Sequence, residues 1–154
     1  MKILKCYLFC IVISSEFLVL LIGVFLFTQQ ELIGFLSSKI SDNSELLKYV
    51  ALLPATLVVY VFKESKTLLF PKDDEKKVLQ GWQDYWKLKI RFNIGLLYSI
   101  TFAFIGVTAL IFGFKINEPV GFTLVLISVA GGLIVVAHIY FAIIKLSEIF
   151  RCKS

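Results

Sequence analysis

The stretch Tyr7-Leu-Phe-Cys-Ile-Val-Ile-Ser-Ser-Glu16-Phe-Leu-Val-Leu-Leu-Ile-Gly-Val-Phe-Leu-Phe27 is apolar almost throughout and long enough to span a bilayer, yet it carries a carboxyl near its middle. In a straight helix Glu16 would lie roughly ten residues from either end, near mid-depth of a hydrocarbon core of about 30 Å. A charge there costs several kcal/mol unless it is neutralised or paired, so such residues mark functional or structural polar sites. The reading of this run as a membrane segment with a polar centre decides the class of the whole chain.

Composition agrees. Apolar residues make up 58% of 154 and charged residues 18%, with 15 Phe. Soluble domains are nearer a quarter charged. Little chain is left for a separate soluble catalytic domain. Four apolar stretches separate by charges and turn residues: 7–27, 46–62, 92–114 and 120–144. The second is short, because its uncharged part, Tyr49 to Phe62, has 14 residues, below the usual range of about 17 to 25. Lys48 snorkelling outward would lengthen it. The expected fold class is therefore an all-α integral membrane protein with four transmembrane helices plus a cytoplasmic amphipathic helix, assembled as a homo-oligomer.

Orientation follows from the basic residues. Lys2 and Lys5 precede the first span; Lys63, Lys66, Lys72, Lys76, Lys77, Lys87, Lys89 and Arg91 lie between the second and third; Lys145, Arg151 and Lys153 follow the fourth. The other two connections hold only Lys39, Lys48 and Lys115. The positive-inside rule then places both termini and the central loop in the cytoplasm. The first run is too long for a signal-peptide core and ends in Thr28-Gln-Gln-Glu31 without a small-x-small cleavage site, so it is read as retained. Cys6, Cys10 and Cys152 all map to cytoplasmic ends and read as small hydrophobes, although one turn between Cys6 and Cys10 would suit a metal or a palmitoyl group.

Small residues indicate where helices meet. Gly95, Ser99, Ala103, Gly106 and Gly113 recur at three, four or seven, and Ser128, Gly131, Val135, His138 and Ala142 at alternating three and four. These spacings imply close backbone approach. The short Lys115-Ile-Asn-Glu-Pro119 link makes the last two spans an antiparallel hairpin. Pro54 interrupts the second span, frees the carbonyl of Val50 and is a candidate hinge, with Thr56 near enough to compensate locally.

Glu16 and His138 are the candidate intramembrane polar site. Counted from Lys5 and Lys145 they differ in depth by roughly 6 Å at 1.5 Å per residue, which side chains can bridge. A structural hydrogen bond, a proton relay and a share in a pore-lining ring all remain open. Enzymatic activity is not expected: the metalloprotease, nucleophile-elbow, P-loop and dinucleotide signatures are absent from the sequence, and a dyad of Ser14 or Ser15 with His138 has nothing in the sequence to fix an oxyanion hole. No cofactor or metal is expected.

The cytoplasmic loop holds Pro71 and then Asp73-Asp-Glu75, helix-start residues, before a segment of about 75–91 in which Val78, Leu79, Trp82, Tyr85, Trp86, Ile90 and Phe92 share one face. Lys76, Lys77, Lys87 and Arg91 share the other. The segment suits the inner interface, with Trp82, Tyr85 and Trp86 at headgroup depth. Basic residues interleaved with aromatics also suit an anionic oligonucleotide. The stretch Leu69-Phe-Pro-Lys72, followed by Leu79-Gln-Gly-Trp-Gln-Asp-Tyr-Trp86 and Lys87-Leu-Lys89, resembles small multi-pass bacterial membrane proteins of phage-defence operons, the Hailong-type effectors. That resemblance covers this stretch and overall size and hydropathy, and no family residue maps to a specific position here. It implies an inner-membrane ion channel or membrane-permeabilising effector in antiviral defence, held in check by an oligonucleotide signal from a partner nucleotidyltransferase. A non-conducting membrane scaffold or assembly subunit is the alternative.

The topology is testable directly. Compartment-sensitive reporters at Ser154 and near Asn43 are expected on opposite sides of the membrane; reports from the same side mean that the second segment does not cross.

Overall fold

The computed structural model describes residues 11–39, 44–69, 85–112, 114–115 and 118–153. All the regular structure among them is helical: α1 (Ser15–Thr28), α2 (Gln30–Ser38), α3 (Ser44–Leu69), α4 (Tyr85–Ile111) and α5 (Pro119–Lys153). Helices α4 and α5, the latter over Pro119–Glu148, are each long and apolar enough to cross a membrane, and α1 with α2 makes a third candidate if the bent pair is one broken span.

The first apolar run is not the straight helix expected from its sequence. The chain is interrupted at Ile13 and Ser14, and α1 starts afresh at Ser15 with Ser14 as its N-cap. The cause is local: the Ser14 hydroxyl accepts from the Phe17 N–H, an option a hydroxyl side chain offers the backbone in place of helix continuation. At the other end α1 stops at Thr28 and α2 leaves at 89°, with the Gln29 N–H closing back on the Leu26 carbonyl. What the sequence suggested was a plain connection from Thr28 onward therefore contains a helix lying across α1. The expected spans 46–62 and 120–144 are parts of longer helices, the expected span 92–114 is helical only as far as Ile111, and Tyr85–Arg91 forms the first two turns of α4 itself. The remainder of the proposed amphipathic segment, with Lys76, Lys77 and Trp82, lies outside the described residues, as do Gly113, Cys6 and Cys10 and the side chains of Lys48 and Cys152.

Helices α3, α4 and α5 pack on one another as a bundle, and α1 and α2 lie against α5. The seam between α4 and α5 is antiparallel: positions rising along α4 meet positions falling along α5. A Cβ added at Gly106 would meet Ser128 Oγ at 2.5 Å and the Ala51 carbonyl of α3 at 2.8 Å, so three helices converge where only a glycine fits. The Phe102 ring, fully buried, occupies the place a side chain at Gly131 would need. Gly95 faces Val135 and Ile139. Gly95, Ser99 and Gly106 are buried, whereas Ala103 is only half-buried and lies off the seam centre. Helix α3 continues through Pro54, which is buried close to Gly132. Thr56 donates to the Leu53 carbonyl at 2.7 Å, one turn back from itself, and so does not serve the carbonyl of Val50 that the proline leaves without its helical donor.

The outward faces are apolar on every helix. Leu18 and Val24 on α1, Val59 and Phe62 on α3, Phe104 on α4 and Phe141 on α5 are each more than half exposed. Such continuous apolar exposure suits lipid rather than water.

The seam yields a paired prediction. Gly131→Ala must displace the Phe102 ring and is expected to destabilise the protein by about 1–3 kcal/mol. Ser128→Ala removes a buried hydroxyl that has no hydrogen-bond partner among the described residues and is expected to be neutral or stabilising. Denaturant titration of detergent-solubilised protein reads both.

Candidate intramembrane site

The break at Ser14 creates the site. It leaves the Ile11 carbonyl without a helical continuation, and in hydrocarbon such a group must be satisfied within the chain. Three donors approach it: the Ser14 hydroxyl at 2.8 Å, the Tyr98 hydroxyl of α4 at 3.0 Å and the Ser14 N–H at 3.3 Å. A carbonyl oxygen has two lone pairs, so the two hydroxyls are the principal donors. Tyr98 thus pins the segment before α1 to the bundle.

Starting α1 at Ser15 places Glu16 in its first turn, where the unpaired N–H groups and the helix dipole favour a carboxylate. Glu16 turns inward toward α5. Its Oε1 lies 2.7 Å from His138 Nδ1, with the Glu16 side chain 9% exposed and the His138 side chain 52% exposed. With the proton on Nδ1, His138 donates to the carboxylate. The Ser15 hydroxyl lies 3.3 Å from Glu16 Oε2 and 3.5 Å from His138 Nε2. It has one proton for two acceptors, so the closer carboxylate oxygen competes with the ring nitrogen. The chain therefore assembles a hydroxyl, an imidazole and a carboxylate from residues 15, 138 and 16.

These groups open on a cavity of about 720 Å³, within the range of ligand pockets. Its walls come from the start of α1 and the residues just before it, the beginning of α4 and the stretch His138–Leu146 in the second half of α5. Leu88, Phe92, Ile139 and Leu146 supply apolar surface, and Arg91 and Lys145 supply positive charge. Helical rise puts His138 about 10 Å deeper than Lys145 along α5. No group of three or more His, Cys, Asp or Glu that could hold a metal ion occurs among the described residues.

Of the residues singled out from the sequence, Glu16 and His138 meet, and Arg91 joins their cavity. Trp86 does not share the buried face with Ile90 and Phe92: it is 48% exposed, and the Lys87 ammonium sits 5.9 Å from its ring centroid. Tyr85 is half-buried. Of the two serines weighed as partners of His138, Ser15 is the one that approaches it; the sequence reading missed Tyr98 as a backbone donor and Lys145 as a cavity residue. Ser14-Ser15-Glu16 is itself a helix-start pattern, a hydroxyl cap followed by an acid, and is the signal that could have revealed the break. Searches with the chain found no matching family model, curated protein or solved structure.

Because Ser14 and Tyr98 act on one carbonyl, their losses should not add. Tyr98→Phe alone is expected to cost about 0.5–1.5 kcal/mol and Ser14→Ala about 0.5–2 kcal/mol. A double-mutant cycle by equilibrium unfolding should show coupling of at least about 0.5 kcal/mol. Simple additivity means that the two hydroxyls do not share an acceptor.

Proposed function

We propose that this chain is a non-enzymatic, multi-pass inner-membrane protein that forms an ion channel or permeabilises the membrane as a homo-oligomer, with the Glu16–His138 pair as its polar element. The proposal includes four crossings with both termini cytoplasmic. Helix α3 has 26 residues, about 39 Å at 1.5 Å per residue, packs along α4 and α5, and exposes Val59 and Phe62 as they expose their own apolar residues. These features favour its crossing beside them.

One observation carries the functional reading: His138 is half exposed on a cavity while it holds a nearly buried carboxylate. A pair that served only to hold helices together would be sealed on both sides, since partial exposure weakens a hydrogen bond and adds nothing to packing. An accessible imidazole on a carboxylate can instead exchange protons or meet ions. The accessible member is His138, so the pore element in this reading is the pair as a unit, in place of a ring of free Glu16 carboxylates. The antiviral role, the oligonucleotide signal and the nucleotidyltransferase partner rest on the resemblance of residues 69–89 alone.

A second reading has one observation in its favour. Ser15 at Nε2 and Glu16 at Nδ1 of the same imidazole is the order of a serine hydrolase, in which the imidazole takes the hydroxyl proton and the acid orients the ring. The hydroxyl contact, at 3.5 Å, is long for proton transfer but of a kind that can tighten on substrate binding.

Reconstituted wild-type protein is expected to conduct cations, with Glu16→Gln and His138→Ala lowering conductance or selectivity while the oligomer persists. Loss of assembly with no wild-type current to alter is the scaffold outcome. Labelling of Ser15 by a fluorophosphonate, abolished by Ser15→Ala, is the hydrolase outcome.

A further inference from the structure

We propose that the cavity beside Glu16 and His138 binds an anionic phospholipid of the cytoplasmic leaflet, with its phosphate on Arg91 and Lys145 and an acyl chain against the apolar wall. The inference rests on the membrane reading and on the inward orientation of the central loop, and not on conduction.

Three observations converge on it. Arg91 and Lys145 come from different helices to the same cavity, both exposed, and neither has an ion-pair partner among the described residues. Two cations lining one cavity without a counter-charge among the described residues create a positive potential that an anion relieves. Among the described residues the one carboxylate lining the same cavity, Glu16, is engaged by His138 and does not serve them. Around the cations the wall is apolar, with Phe92 and Leu146 next to them in sequence and Ile139 deeper along α5, all three buried in their own packing and so fixed in place. A phosphate at the rim with hydrocarbon beneath it is the chemistry of a phospholipid, and basic pockets between helices on the cytoplasmic side bind such headgroups. The cavity volume of about 720 Å³ accommodates an acyl chain and not merely an inorganic anion.

The assignment separates charge from shape, and so does its test. Full-length protein in detergent is titrated with dioleoyl phosphatidylglycerol or dioleoyl phosphatidylcholine, and bound lipid per chain is measured by native mass spectrometry. Phosphatidylglycerol is expected to bind more tightly. The R91Q/K145Q double variant should weaken it about thirtyfold, the combined worth of two cationic side chains near a membrane surface, and leave phosphatidylcholine unchanged. A142W, which fills the cavity from α5, should block retention of both lipids. Should the double variant fail to fold, K145Q alone is expected to weaken phosphatidylglycerol about fivefold.

Equal retention of the two lipids by wild-type protein overturns the proposal. So does phosphatidylglycerol binding that survives both R91Q/K145Q and A142W. Full competition by inorganic phosphate assigns the cations to a free anion instead and also overturns it. Selective lipid binding without any current removes the channel reading and leaves this one standing, whereas current without lipid selectivity does the reverse.

Discussion

The arrangement of α1 against the bundle depends on a requirement imposed by hydrocarbon: a carbonyl that loses its helical donor must find another donor inside the chain. At Ile11 that donor is supplied twice, by Ser14 from within the segment and by Tyr98 from α4. The two contacts make a break in an apolar run tolerable. The break in turn allows α1 to begin where Glu16 can turn inward to His138, and the cavity exists because α1 starts there and not a turn earlier.

A second constraint operates on the opposite side of the same bundle. Gly106 and Gly131 leave room for Ser128, for the backbone of α3 and for the ring of Phe102, so α3, α4 and α5 approach closely along much of their length. Without a strong hydrophobic effect between helices in lipid, this contact is what van der Waals attraction has to work with. The α1 side adds hydrogen bonds to packing of the same kind: Gly23 is buried so close to Ile127 of α5 that a Cβ there would meet its side chain at 2.5 Å.

The helical class and the small-residue contacts of α4 and α5 were legible because they rest on periodicity, and periodicity survives whatever the tertiary context. Gly106 and Gly131 stand where close approach requires them, with Ser128 against the first, whereas Gly95 is in ordinary contact with Val135 and Ile139. The approach of Glu16 to His138 was legible from depth alone, by counting from flanking lysines. The break at Ser14 and the right-angle turn at Gln29 were not, because each is a choice between near-equal local options. A serine in an apolar run can cap or can continue a helix, and the deciding partner, Tyr98, is 87 residues from the Ile11 carbonyl that it serves. That Trp86 is exposed while Ile90, one turn on, is buried was not legible for a related reason: projection at fixed angle cannot tell which side of a half-apolar turn meets a neighbour. Lys145 read as an orientation signal and not as a cavity wall, since its role depends on what α1 brings opposite it.

Helix α5 is a single element of 35 residues, about 52 Å long at 1.5 Å per residue against a hydrocarbon core of about 30 Å. One unbroken rod therefore carries His138 in the membrane and continues past Lys145 for two further turns. A rod of this kind cannot turn at one level and stay still at another. Any rotation of α5 that separates His138 from Glu16 must swing the residues beyond Lys145 through the same angle, so the state of a hydrogen bond inside the bilayer is displayed, unattenuated, at the far end of the helix.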